Sequence, residues 1–352
     1  MKVAYYAPNI PDVWSTDRYQ HALAVTEYAD RSMLIAHSEL PDTLADMADD
    51  ICVLSASNRF FRAREAADSI VDLLGRNATL LSAAHEYECV LAGTLAKAKG
   101  VRWVPDVFET PAMPRLNRPR SLHQLTTRLL PVLINQAEMG IHSFHPNTPY
   151  QYCRERAFIP NGAPVSQIEA QYNDRDGLKV VLIGDRPALE RGGEYLLRAI
   201  NQLENPSVTV DVCGNATEGM QDLSNKLGVS DRVHFHGWIA HRKALQYAKD
   251  ADVGYAVLPP RPDFRFAPPI KVGEYLAAGT IPLLSDFPGS RYMAADSGTY
   301  VSPSVQSVVD ALSLLLRSDS KELKRRSSIS RERAEAISWE SIRQRFVESV
   351  GI

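Results

Sequence analysis

The sequence predicts an α/β protein of two consecutive Rossmann-like, parallel-sheet blocks, on three observations. The chain has 352 residues, more than one hydrophobic core usually serves. Short apolar runs alternate with longer stretches of helical periodicity in both halves, the rhythm of β-α-β units. Between the halves, Pro160-Asn161-Gly162-Ala163-Pro164 punctuates the chain, and the polar run from Tyr172 to Gly177 follows before the rhythm resumes.

In the first half the apolar runs Val3–Tyr6, Met33–Ala36, Ile51–Leu54, Thr79–Ser82 and Val101–Val104 have the length and composition of buried strands. The helix-like stretches Asp17–Tyr28, Arg62–Leu74 and Cys89–Lys99 alternate with them. In the second half Lys179–Gly184 is a buried strand ending in glycine, Glu194–Leu203 is helical, and Val208–Gly214 and Arg232–Phe235 are strands. Ala244–Asp250 is helical, Val253–Leu258 a strand, Ile270–Ala278 a helix and Ile281–Ser285 a strand. Pro269 suits the start of its helix, where a missing N–H costs nothing, and Gly279 suits its end. Ser338 is a plausible N-cap for a final amphipathic helix that runs to Val350. These boundaries imply domains over 1–163 and 164–335, with a C-terminal helix over 336–352.

Composition narrows the function classes. Hydrophobic residues make up 45% and charged residues 23%, ordinary for a soluble globular chain. With Lys+Arg 39 against Asp+Glu 42, the net charge of -3 gives no reason to expect a nucleic-acid partner. Cys52, Cys89, Cys153 and Cys213 are scattered with no C-x-x-C pair, which reads as buried thiols in a reducing compartment. The opening apolar run is too short for a signal segment, and no stretch is long and apolar enough to span a bilayer. The expectation is a cytoplasmic protein, at most peripheral on a membrane.

In open α/β sheets, ligands bind beyond the carboxyl ends of the strands. The residues there that carry chemistry fall in four places. The stretch from Phe266 to Gly279 opens a helix at Ile270 and Lys271, whose leading N–H groups suit a diphosphate, with Glu274 one turn in. The same Lys271/Glu274 spacing also suits a plain i,i+3 ion pair. Gly184-Asp185-Arg186 through Arg191-Gly192-Gly193 places two guanidinium groups beside a glycine-rich turn, a diphosphate clamp or simply a solvated loop. In the first half, His85-Glu86 and the run from Asp106 to Glu109 put ionisable groups at strand ends. No G-x-G-x-x-G, P-loop or G-x-S-x-G is present, and no His/Cys/Asp cluster has metal-ligand spacing. Asp174-Arg175-Asp176 is a D-x-D, but in the inter-block segment it reads as a solvated turn.

Taken in order, these second-half motifs resemble glycosyltransferase family 4, retaining enzymes of the GT-B fold, over most of residues 156–302. Phe158-Ile159-Pro160-Asn161-Gly162 is similar to the family's "IPNG", and Gly184 to Ala199 to its "G-R-…-K-G-…-L-L-x-A". Val210 to Gly214 resembles the strand that ends near the nucleotide, and Asp231 to Trp238 resembles "D-R-V-x-F-x-G". Ala251-Asp252-Val253 with Leu258-Pro259 is similar to "A-D-V-…-L-P". Lys271 to Pro282 resembles "K-x-x-E-Y-L-A-x-G-x-P", and Ser338-Trp339-Glu340 the start of the final helix. Three departures stand out. Phe266 occupies the place of the family's first donor glutamate, Asp185 follows Gly184 where Arg is usual, and the loop Asn9 to Thr16 lacks paired glycines.

The resemblance implies two Rossmann-like domains facing each other across a cleft, with the second binding a nucleotide diphosphate sugar. It implies retention of configuration by a front-face route, a glycan or lipid-linked acceptor, and no metal or other cofactor. By the same resemblance Glu274, Arg186 and Arg191 serve catalysis. Asp106 or Glu109 would supply the first-domain group, and Gly184, Gly192, Gly214, Trp238, Ile270, Lys271 and Asn161 would bind the donor. Two rivals share this fold: a nucleotide-sugar epimerase, and a non-catalytic nucleotide- or glycan-binding pseudo-transferase. The segment from Pro114 to Val132 sets Arg115, Arg118, Arg120 and Arg128 among leucines at helical spacing. It reads either as a core-facing amphipathic helix or as a peripheral membrane contact.

Overall fold

A computed structural model describes residues 1–14, 16–108, 129–149 and 151–352. The chain divides into two compact units, Met1–Asn161 with Glu340–Ile352, and Gly162–Trp339. Glu109 and most of the arginine-rich segment, residues 114–128, lie outside the described residues. Of that segment's described end, Leu130 is buried while Leu129 and Val132 are exposed. Among the described residues no helix is long and apolar enough to cross a membrane.

The first unit is built on seven parallel strands in the order β3-β2-β1-β4-β5-β6-β7. They are β1 (Lys2–Tyr6), β2 (Arg31–Ala36), β3 (Asp50–Val53), β4 (Thr79–Ala83), β5 (Arg102–Val107), β6 (Met139–His142) and β7 (Glu155–Phe158). Continuous burial along β1 and β4 reflects helices on both faces. The helix Asp17–Tyr28 begins where the Thr16 hydroxyl accepts the Tyr19 N–H. The last helix, Trp339–Val350, packs its Phe346 ring 4.4 Å from the His21 ring, and its Arg343 donates to Gln20 Oε1 at 2.5 Å.

One expectation for this unit is corrected, and two of its strands were not read from the sequence. Strand β5 runs three residues past Val104 to Val107, so Asp106 lies inside a strand and not beyond its end. Strands β6 and β7 carry no apolar run: Met-Gly-Ile-His and Glu-Arg-Ala-Phe are recruited by pairing onto the sheet. Tertiary context overrides local composition there.

The second unit is built on six parallel strands in the order β10-β9-β8-β11-β12-β13. These are β8 (Leu178–Ile183), β9 (Val208–Cys213), β10 (Val233–Phe235), β11 (Val253–Ala256), β12 (Ile281–Ser285) and β13 (Thr299–Val301). The pleat sends alternate side chains to opposite layers. Val180, Leu182, Val210, Val253 and Tyr255 join the core under the helices Gly193–Leu203 and Val305–Leu316. Val181, Ile183 and Ala256 join the core under His241–Asp250 and Ile270–Ala278. The second unit is thus a doubly wound sheet with its strand order reversing between β8 and β11. The D-x-D segment is not a free turn, because Ser320 donates to Asp174 Oδ1 at 2.6 Å and Arg175 pairs with Asp250 at 3.3 Å.

Candidate active site

The reversal between β8 and β11 positions the candidate site. Ladder pairing there covers Val253↔Val180 and Gly254↔Val181 and then stops. Beyond it the Ile183 N–H donates to the Tyr275 hydroxyl at 3.0 Å, which itself donates to the Tyr255 carbonyl at 3.2 Å. A side chain of the helix Ile270–Ala278 thereby takes over backbone bonds between the two strands and anchors that helix at the crevice.

Two backbone approaches shape the rim. Gly214, at φ +126°, would place a Cβ 1.7 Å from the Gly184 carbonyl, so the ends of β8 and β9 close together only around glycine. Gly192, at φ +92°, would place a Cβ 1.9 Å from the Val257 carbonyl, and its own carbonyl accepts the Tyr255 hydroxyl at 2.8 Å. Gly192→Ala therefore destabilises the second unit by about 3 kcal/mol or more, combining backbone strain with a clash. A thermal melt checks this, and an unchanged midpoint would show that the turn can relax.

Four ionisable side chains converge at this rim. Lys271, half-buried, brings its Nζ within 3.2 Å of where a Gly184 Cβ would lie. Burial first, and then the nearby Arg191 guanidinium, push its ammonium down to about 8, against the pull of Glu274 and Asp185. Glu274 is buried, and its Oε1 pairs with His241 Nε2 at 2.7 Å. Burial works against the His241 charge, but the Glu274 contact and Asp185 outweigh it and raise the imidazole above its ordinary range. Asp185 is exposed and acts on both Lys271 and His241. Ile270 opens the helix behind Pro269, with no side chain capping it. The Val272 N–H donates to the Pro269 carbonyl at 3.0 Å, and the N–H groups of Ile270 and Lys271 before it have no intrahelical partner.

Arg191 is exposed, with its guanidinium 5.3 Å from the Phe264 ring; Arg261 lies over the same ring at 4.7 Å. Arg186 is exposed in the loop after β8. Trp238 follows Gly237 beyond β10 with 66% of its surface exposed, a flat apolar platform.

Of the residues singled out in the sequence, Lys271, Glu274, Gly184 and Arg191 therefore come together. Gly192 and Gly214 shape the rim, and Arg186 and Trp238 flank it. Asn161 is buried at the end of the first unit. Asp106 is fully buried, pairing with His21 Nδ1 at 2.7 Å and accepting the Tyr5 hydroxyl at 3.2 Å. His85 is also buried, its ring 4.3 Å from Phe108. His241, Phe264 and Tyr275 escaped the sequence reading. A histidine opening a helix just after Gly237-Trp238 was the one signal available for His241. Among the described residues no group of three or more His, Cys, Asp or Glu side chains is placed to hold a metal ion.

The two parallel-sheet units have the GT-B fold. Residues 165–333, nearly the whole second unit, match the family model for glycosyl transferases group 1. No curated protein sequence matches the chain. Solved structures with the same fold include Anabaena HepE in complex with UDP and glucose. That match has a TM-score of 0.76 at 15% identity over 100% of this chain and 99% of that one. A sucrose-phosphate synthase from Thermosynechococcus elongatus is similar with a TM-score of 0.74 at 14% identity, over 99% of this chain and 97% of that one. An E. coli trehalose-6-phosphate protein bound with UDP-2-fluoro glucose is similar with a TM-score of 0.70 at 12% identity, over 99% of this chain and 98% of that one.

Proposed function

We propose that the protein transfers a sugar from a nucleoside diphosphate sugar to a glycan or lipid-linked acceptor with retention of configuration. The supporting observation is the convergence of Lys271, Glu274 and His241 on the strand reversal of the unit that matches the glycosyl transferase model. The bond from the sugar C1 to the diphosphate oxygen breaks. The acceptor oxygen forms its bond to C1 on the same face, and the acceptor proton passes to the departing phosphate oxygen. Little covalent work falls to the protein, so charge stabilisation at the leaving group dominates. Lys271, Arg191, Arg186 and the N–H groups at Ile270 supply it, Glu274 holds hydroxyls of the ribose or sugar, and Trp238 borders the base. Solved neighbours of the fold hold UDP, which makes UDP and UDP-glucose the first probes.

Arg191→Ala and Arg186→Ala weaken UDP binding by about 1.5–3 kcal/mol each without lowering the melting temperature. Calorimetry checks this, and wild-type affinity in both variants would remove the clamp. The phosphate charge is met by Lys and Arg side chains, so turnover persists in EDTA. Turnover lost in EDTA and restored by Mg²⁺ or Mn²⁺ would contradict it.

A further inference from the structure

His241 carries an inference that rests on the donor reading of Glu274 and goes one residue further. It opens the helix His241–Asp250, with no side chain capping that end. A cation at a helix N-terminus is opposed by the aligned peptide dipoles, and stability alone would favour an acid there. The imidazole instead reaches across to the helix Ile270–Ala278 and pairs with Glu274 Oε1 at 2.7 Å.

We propose that His241 is the positioning residue for Glu274, fixing the carboxylate at the donor rim and making donor affinity depend on pH. Glu274 is buried, and a buried carboxylate needs a fixed, charge-assisted partner to stay ionised in one orientation. His241 provides that partner from a different element, so the carboxylate is held by the second unit's scaffold and not by its own helix alone.

The charges facing the imidazole set the sign of the pH dependence. Glu274 acts from the donor helix and Asp185 from the loop after β8; both favour the protonated form. Lys271 shares the rim, and Arg242 and Lys243 follow His241 on its own helix. With His241 protonated, the rim carries Lys271, Arg191 and His241 against Glu274 and Asp185, an excess of positive charge that suits a diphosphate. Once the imidazole loses its proton that excess is gone, and a donor is held less tightly. This affinity change begins above the ordinary imidazole range and adds to the one Lys271 introduces near 8.

The test is calorimetric titration with UDP-glucose and with UDP from about pH 6 to about pH 9, in the wild type, His241→Gln and His241→Ala. The imidazole resonance of His241 is followed by NMR in the wild type and in Glu274→Gln. The glutamine amide can still donate to Glu274, so His241→Gln keeps donor binding near the level the wild type has with a neutral imidazole and loses the limb of the pH dependence that His241 introduces. His241→Ala weakens UDP-glucose binding by about tenfold or more at every pH. The imidazole pKa falls in Glu274→Gln. Wild-type affinity and pH dependence in His241→Ala, or an imidazole that titrates identically in Glu274→Gln, would overturn the proposal. Binding of neither probe by the wild type would instead remove the donor reading, and the imidazole titration would then decide the pair by itself.

Discussion

Replacing Glu274 by glutamine lowers turnover by about a hundredfold or more while the melting temperature moves by only a few degrees. The substitution keeps the side chain's shape and lets an oxygen go on accepting from His241, so packing at the buried position survives. What it removes is the negative charge that a hydroxyl donor on the ribose or sugar would meet. Release of UDP from UDP-glucose, timed with wild type and variant at equal concentration, reads the effect. Full turnover with a lowered melting temperature would leave Glu274 a structural partner of His241 and nothing more.

Lys271→Met weakens UDP binding by about 1.5–3 kcal/mol. It also changes two pH dependences in opposite senses. The folded-state pKa of Lys271 is pushed down to about 8 from an ordinary value of 10.5. Between those two values the unfolded chain binds the extra proton, so the stability of the unliganded protein rises with pH across that window. Affinity for a diphosphate falls over the same window, because the cation that meets the phosphate is lost. Lys271→Met removes the stability rise and flattens the affinity fall. A stability profile from denaturant melts and an affinity profile from calorimetry check both halves, and parallel movement of the two would contradict the assignment.

The sequence shows the second unit better than the first, for physical reasons. Parallel strands covered on both faces are unbroken apolar runs, and β8, β9 and β12 are such runs. Helices with strong end signals are equally plain: Ile270–Ala278 is framed by Pro269 and by Gly279 in the left-handed conformation. Strands β6 and β7 lack that pattern because glycine and charged residues enter them late in the sheet. Asp106 looked like a strand-end acid because an aspartate ordinarily interrupts a strand. In fact His21 and Tyr5 compensate its burial from elements distant in sequence. The candidate site shows the same divide. Lys271 and Glu274 share one helix and could be read together, whereas the pairing of Glu274 with His241 spans 33 positions and exists only in the fold.

The most direct test of the donor assignment is a calorimetric titration of the wild-type chain and the Lys271→Met/Arg191→Ala double variant with a panel of nucleoside diphosphate sugars, UDP-glucose first. The wild type should bind at least one member, and the double variant should lose that binding while melting at a similar temperature. A wild type that binds no member of the panel, or a double variant that binds as tightly as the wild type, would contradict the donor site placed between β8 and β11.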